Sequence, residues 1–164
     1  MKKTACALFL IQLVAGCDGF VGELEVARGP KVAIVDADYL ILRPILIAQG
    51  PGLTEATVDG QTVYYDPTTR IMDLRHFDPR TAKVEEFRPG TYVVSIETTP
   101  EGDQLLGTWT SANVKKQLGV FLDRRLISAP HIQSKITSII VIEDELTKAR
   151  AEAIVARLRR GGAA

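Results

Sequence analysis

Residues 117–132 read as a strand, a tight turn, a second strand and a proline that ends the pairing. Leu118, Val120 and Leu122 alternate, as one buried face of a strand does. Asp123-Arg124 is the turn, and Leu126 and Ile127 restart an apolar run. Pro130 has no N–H and pushes Ala129 into an extended conformation, so the ladder ends there or runs along an edge.

The segments around this hairpin complete a pattern. Arg88-Pro89-Gly90 is a boundary. Residues 91–97 form a strand, with Tyr92, Val94 and Ile96 on one face and Val93 and Ser95 on the other. Thr99 can cap a helix that Pro100 and Glu101 begin. Leu105, Leu106, Trp109 and Ala112 lie on one side of it at spacings of three and four. Residues 136–142 are a β-branched strand. A last helix starts at Leu146-Thr147, carries Ala151, Ile154, Val155 and Leu158 as its apolar stripe, and stops at Gly161. The order β-α-β-β-β-α predicts an α+β fold, with two helices on one face of an antiparallel or mixed sheet.

The run from Leu122-Asp123 to Ser128-Ala129-Pro130-His131-Ile132 resembles the LDG-x-x-x-SAP-x-I signature of SecD, a subunit of the bacterial protein-export translocase. Thr99-Pro100-Glu101-Gly102 is similar to that family's TPEGA helix start. Leu146-Thr147 through Ala151 to Leu158-Arg159-Arg160-Gly161 is similar to its last helix. The likeness covers roughly residues 92–162 and implies the head subdomain of the first periplasmic domain, with the same α+β layout. It implies that Ser128 is structural and that the domain engages an exported chain. Two departures stand out. Arg124 occupies the place of a glycine, where a positive φ costs about 1 kcal/mol. The glycines that follow the next strand are missing around Thr137-Ser138, which points to a longer turn.

The N-terminus reads as an address. Met1-Lys2-Lys3 is basic, and residues 4–16 are apolar except for Gln12 and too short to span a bilayer, which takes about 20 apolar residues. This is the pattern of a secretory signal peptide over residues 1–16. Its close, Leu13-Val14-Ala15-Gly16-Cys17, resembles the lipobox of bacterial lipoproteins and implies a lipid on Cys17. The alternative is an ordinary signal with Cys17 incidental. Asp18 resembles a sorting signal that retains lipoproteins in the inner membrane. Cys6 leaves with the signal, so the mature chain has one acylated cysteine and can form no internal disulfide. Acyl chains on that residue would attach it to the membrane without a spanning helix. Residues 17–30 read as a tether, the alternative being an edge strand near 23–27.

Removing residues 1–16 takes two lysines and no acid, so 20 basic and 20 acidic residues become 18 and 20. A net charge near −2 argues against nucleic acid as a partner, which wants a basic face. The remainder is enough for one domain with a core.

Residues 31–90 read as mostly β, a region preceding the head at 91–164. Residues 32–35 suit a strand. Pro44 divides the apolar run 39–48 into two short strands or a kinked edge strand. Asp59-Gly60 is a hairpin turn joining 56–58 to 62–65. Asp66-Pro67 and Asp78-Pro79 are turns, with a strand between them.

No pattern carries catalysis. Ser128 and His131 offer a nucleophile and a base, but no Gly-x-Ser-x-Gly elbow or third group accompanies them. Asp36 and Asp38 are two acids beside a strand end, a solvated turn more than a metal site. His76 and His131 stand far apart in sequence, and Trp109 reads as core. We therefore expect no enzyme, no metal and no cofactor. The expected function is a lipid-anchored, periplasm-facing binding module for unfolded exported polypeptide or translocase components. Leu126, Ile127 and Ile132 are its candidate contacts. The alternatives are a structural envelope lipoprotein and, more remotely, an envelope hydrolase acting through Ser128.

Overall fold

The computed structural model describes residues 35–162. The signal peptide, Cys17, Asp18, the tether and all but Val35 of the strand expected at 32–35 lie outside the described residues. The elements in chain order are β1 Leu40–Ile45, β2 Thr54–Val58, β3 Gln61–Tyr65, β4 Met72–Asp73, a 3₁₀ turn Leu74–His76, β5 Phe77–Arg88, β6 Thr91–Thr98, α1 Pro100–Ala112, β7 Gln117–Leu122, β8 Arg125–Ser128, β9 Ile139–Leu146 and α2 Lys148–Arg159. The fold is α+β, and the order from β6 onward is the expected β-α-β-β-β-α.

Those strands do not share one sheet. β4-β1-β7-β8 form one sheet, β2-β3 a second and β5-β6-β9 a third. β1 pairs with β7 from Leu40–Leu122 to Ile45–Gln117, and β5 pairs with β6. Both ladders cross the line drawn at Gly90, so the N-terminal region supplies strands to the same sheets as the later half. The reason is burial. β7 is buried at all six positions, and a strand buried on both faces needs a cover on each. Leu118, Val120 and Leu122 face a main core, together with Leu40, Leu42, Val94, Ile96, Ile142 and Leu158. Phe121 faces a second core with Ile41, Ile45, Val58 and Val63, which the β2-β3 hairpin closes.

Pro44 does not break β1. It stands opposite Leu118, whose N–H donates instead to the Pro130 carbonyl at 3.0 Å. The ring therefore faces the side where β4, which reaches only Ile41 and Leu42, has ended. Arg43, next to it, is buried. Its guanidinium donates to the carbonyls of Asp66 and Pro67 at 3.3 and 2.7 Å and to that of Thr69, and burial lowers its pKa. It thus ties the Asp66-Pro67 turn to the sheet. Asp66 caps that turn itself: the Thr68 hydroxyl and amide, then the Thr69 hydroxyl, hold its carboxyl at a pKa of about 2.

The Asp78-Pro79 turn is corrected. The chain there is part of β5, interrupted by an irregularity between Asp78 and Lys83. The prolyl residue is tolerated because β5 is an edge strand. The excursion is well satisfied. Arg80 pairs with Asp78 at 2.7 Å, the Thr81 hydroxyl donates to the Asp78 carbonyl and accepts from the Glu97 amide, and Arg159 donates to the Ala82 carbonyl. The expected strand between the two turns shrinks to β4, because Asp73, 1% exposed, caps the 3₁₀ turn that follows and accepts from the Arg75 amide and guanidinium.

The β2-β3 and β7-β8 hairpin turns each use two residues at positive φ, the geometry that matches strand twist. They are Asp59 and Gly60 at 51° and 72°, and Asp123 and Arg124 at 52° and 64°. Arg124 therefore takes the left-handed conformation at a cost of about 1–2 kcal/mol. Neighbouring contacts hold that turn in place. The Asp123 amide donates to the Tyr39 carbonyl, and its carboxylate pairs at 2.9 Å with Arg157, whose guanidinium lies 4.2 Å from the Tyr39 ring centroid. At the missing-glycine site after β8, Ser138 itself adopts φ 70°.

α2 buries the expected stripe of Ala151, Ile154, Val155 and Leu158. Gly161 and Gly162 close it by donating to the carbonyls of Leu158 and Arg157, the paired bonds of a Schellman ending. α1 begins as expected, with Thr99 accepting from the Gly102 amide. Its buried face is rotated, however. Gly102, Leu106, Gly107 and Thr110 face inward, Trp109 is half-buried, and Leu105 and Ala112 are exposed. Small residues decide this. A Cβ at Gly102 would lie 2.2 Å from the His76 carbonyl oxygen. Thr110 bonds both the Leu106 carbonyl and the Ile136 amide.

Candidate functional polypeptide cleft

β8 is the last strand of its sheet and β9 the last of another. Between them lies a cleft of about 540 Å³. One wall is Ile127 and Ser128 of β8 followed by Ala129 and Pro130. The other is the outer face of the β5-β6-β9 sheet, with Phe87, Val93 and Val141. Asp59, from the β2-β3 turn, and Arg88, Thr91 and Glu143 add polar groups.

The alternation of strands builds the apolar wall. Val94 and Ile142 point into the main core, so their neighbours Val93 and Val141 point the other way. Val93 is nearly covered, at 6% exposure, but Val141 and Phe87 remain 41% and 55% exposed. Arg88 lies over the Phe87 ring at 5.0 Å, within reach of a cation–π attraction.

The opposite wall is held from behind. The Pro130 carbonyl accepts from the Leu118 amide, and the Ala129 carbonyl accepts from the Gln117 side chain at 3.2 Å. Gln117 pairs by a single bridge with His131, and the Ile132 amide donates to the Lys116 carbonyl. The Ser128-Ala129-Pro130 segment is therefore a fixed extended rail. The Gln117 side-chain oxygen, buried behind it, has no partner among the described residues.

The three expected contact residues divide. Ile127 is half-buried and lines the cleft. Leu126, its neighbour, points to the other side and packs on the second core. Ile132 is 1% exposed in the main core, so its role is packing; it follows the rail inward, and the expectation of an exposed contact there is corrected. Phe87, Val93 and Val141 were not singled out from sequence. The period-two pattern placed Val93 on the opposite face from Val94, but nothing local showed that this face borders β8.

The remaining candidates have these surroundings. Ser128 stands opposite Val120 in the cleft wall, whereas the His131 ring lies 3.4 Å from the Lys115 carbonyl. Asp38 pairs with Arg70 at 3.0 Å, and Asp36 accepts from the Asp38 amide. His76 is tied to Asp73 in the 3₁₀ turn. Trp109 packs against the main core.

The family described as the SecDF P1 head subdomain matches residues 53–163. The protein translocase subunit SecD of Dictyoglomus turgidum is 37% identical over 83 residues, covering 50% of this chain and 21% of its own length. The same subunit of Anaeromyxobacter dehalogenans is 39% identical over 118 residues, covering 72% of this chain and 16% of its own length. The chain thus spans about a fifth or less of these relatives. Two solved structures share its fold at 20% identity. One, of a membrane component SecDF that enhances protein export, superposes with a TM-score of 0.56 over 76% of this chain and 64% of that one. The other, SecDF in a super-membrane-facing form, gives 0.54 over 76% of this chain and 19% of that one.

Proposed function

The chain belongs to the SecDF P1 head subdomain family, and from that premise we propose that it is a non-catalytic binding module for extended polypeptide in protein export. The cleft between β8 and β9 carries the reading. It offers an apolar trough for side chains beside two outermost strands, whose backbone groups can pair with an added strand of almost any sequence. Translocase components would be its assembly partners. The lipobox-like run Leu13-Val14-Ala15-Gly16-Cys17 supports a proposed attachment through a lipid on Cys17, with the domain facing the periplasm. Asp18 favours the inner membrane.

Ordering an unfolded client costs entropy, so the affinity is expected to be micromolar or weaker. Titrating the chain with an unfolded exported protein should show saturable binding that the folded form of the same client lacks. Val141→Glu, at an exposed position of the cleft wall, and Ile127→Glu should each weaken it about tenfold. Parent and variants share the same N-terminal segment, so the difference reads the cleft. Equal binding of folded and unfolded client, or variants as strong as the parent, would exclude this site.

The anchor has its own test. Cys17→Ser should abolish labelling by a radioactive fatty acid in cells and leave the precursor uncut. A variant labelled and matured like the parent would remove the lipoprotein reading.

A further inference from the structure

The cleft leaves other exposed apolar side chains unused. Leu46 and Ile47, just past β1, are 43% and 83% exposed, and Val114, just past α1, is 42% exposed. The β1-β7 register brings them together. Ile45 is the partner of Gln117, so residues 46–47 and 114–116 leave β1 and β7 at the same end of the sheet, where Leu46 bridges to Tyr64 and Lys115 and Lys116 bond to Ile132. Lys115 and Lys116 are exposed there. Lys115 is held at φ 73° with its amide bonded to the Ile132 carbonyl, and Lys116 bonds Asn113. Residues 46–53, 113–116 and 129–132 contain these two lysines and no carboxylate; β3, bridged to Leu46 through Tyr64, runs on to Asp66. Glu55 stands one strand beyond, opposite Tyr64.

We propose that this tip dips into an anionic lipid surface, with Leu46, Ile47 and Val114 at the depth of the upper acyl chains and Lys115 and Lys116 at the phosphates. The chemistry fits a bilayer. Exposed aliphatic side chains suit a fluid apolar layer, and lysine stems can lie along it while their heads reach phosphate. Each lysine near an anionic surface strengthens binding about fivefold. Three aliphatic side chains and two lysines make a weak contact, so the inference rests on the proposed Cys17 lipid to hold the domain at the membrane that this contact orients. The geometry permits both. The described chain begins near α2's C-terminus, where the Asp36 amide bonds the Gly161 carbonyl, at the opposite end of β1 and roughly 20 Å from the tip at the rise of a six-residue strand. The 17 residues 18–34 can span at most about 60 Å, so an N-terminal anchor and the tip can meet one membrane. The inference is independent of what the cleft binds.

The test is depth-resolved fluorescence on the full chain with phosphatidylglycerol–phosphatidylcholine vesicles carrying brominated acyl chains. A tryptophan introduced by Ile47→Trp should be quenched beyond the background of Trp109. One introduced by Leu105→Trp, at an exposed site on α1, should not. Lys115→Glu with Lys116→Glu, or replacing the anionic lipid with phosphatidylcholine alone, should remove at least half of the added quenching. Quenching is compared at equal bound fraction, measured by vesicle co-sedimentation, so bulk association does not confound the comparison. Equal quenching at positions 47 and 105, or quenching indifferent to the lysines and to lipid charge, would overturn the proposal and leave the tip as a protein contact.

Discussion

Leu158→Ala should lower the unfolding free energy by about 2–5 kcal/mol and Tm by roughly 8–20 °C. Leu158 is fully buried on the inner stripe of α2, in the main core that also holds Val94 and Ile96 of β6. Truncation removes its transfer free energy and leaves a cavity. The cavity cannot close easily, because both ends of the last turn are tied. Arg159 bonds the Ala82 carbonyl, and Arg157 bonds the Gly162 carbonyl and the Asp123 carboxylate. Leu105→Ala, at a 39% exposed site on α1, should cost less than about 1 kcal/mol. Denaturant unfolding of the three proteins checks both. A loss under half a kcal/mol at Leu158 would mean that α2 is not seated on the sheet.

Gly102→Ala should destabilise the fold by about 2–4 kcal/mol, although helix propensity alone favours alanine over glycine by about 1 kcal/mol. The two effects have opposite signs, so the measurement decides which governs. The added Cβ would stand 2.2 Å from the His76 carbonyl oxygen and 3.1 Å from the Met72 Cε. That oxygen cannot simply withdraw. It accepts from the Thr99 amide at 2.9 Å and the Thr99 hydroxyl at 3.3 Å, and Thr99 is also the cap of α1. Relieving the clash therefore loosens the cap. A neutral or stabilised variant would show that α1 does not start against residues 72–76.

Asp103 extends the same junction. The Thr98 hydroxyl and then the Ser138 amide donate to its carboxylate and lower its pKa. One carboxylate in the first turn of α1 thus joins the end of β6 to the segment before β9. Sequence reading placed Glu101 as the favourable charge at that helix start and passed over Asp103, whose second partner, Ser138, lies 35 residues away.

What the sequence determined by itself was local. Turn chemistry at Asp59-Gly60, the cap at Thr99, the stripe of α2 and the order of elements from β6 onward all depend on neighbours within a few residues. Local preferences set them with no partner present. The tertiary structure decided which surfaces meet. Alternation showed that Val93 and Val94 face opposite ways but not what either face meets. The inner face of α1 was decided by two glycines that admit close neighbours, against the apolar spacing that favoured Leu105. The division into three sheets and the continuation of β5 through Pro79 were set by register with β1 and β6. The cleft combines residues from 59 to 143, and Ile132, next to its rail, is drawn into the core. Side-chain period is a property of one strand, whereas a cleft depends on the spacing of two, and only long-range pairing fixes that.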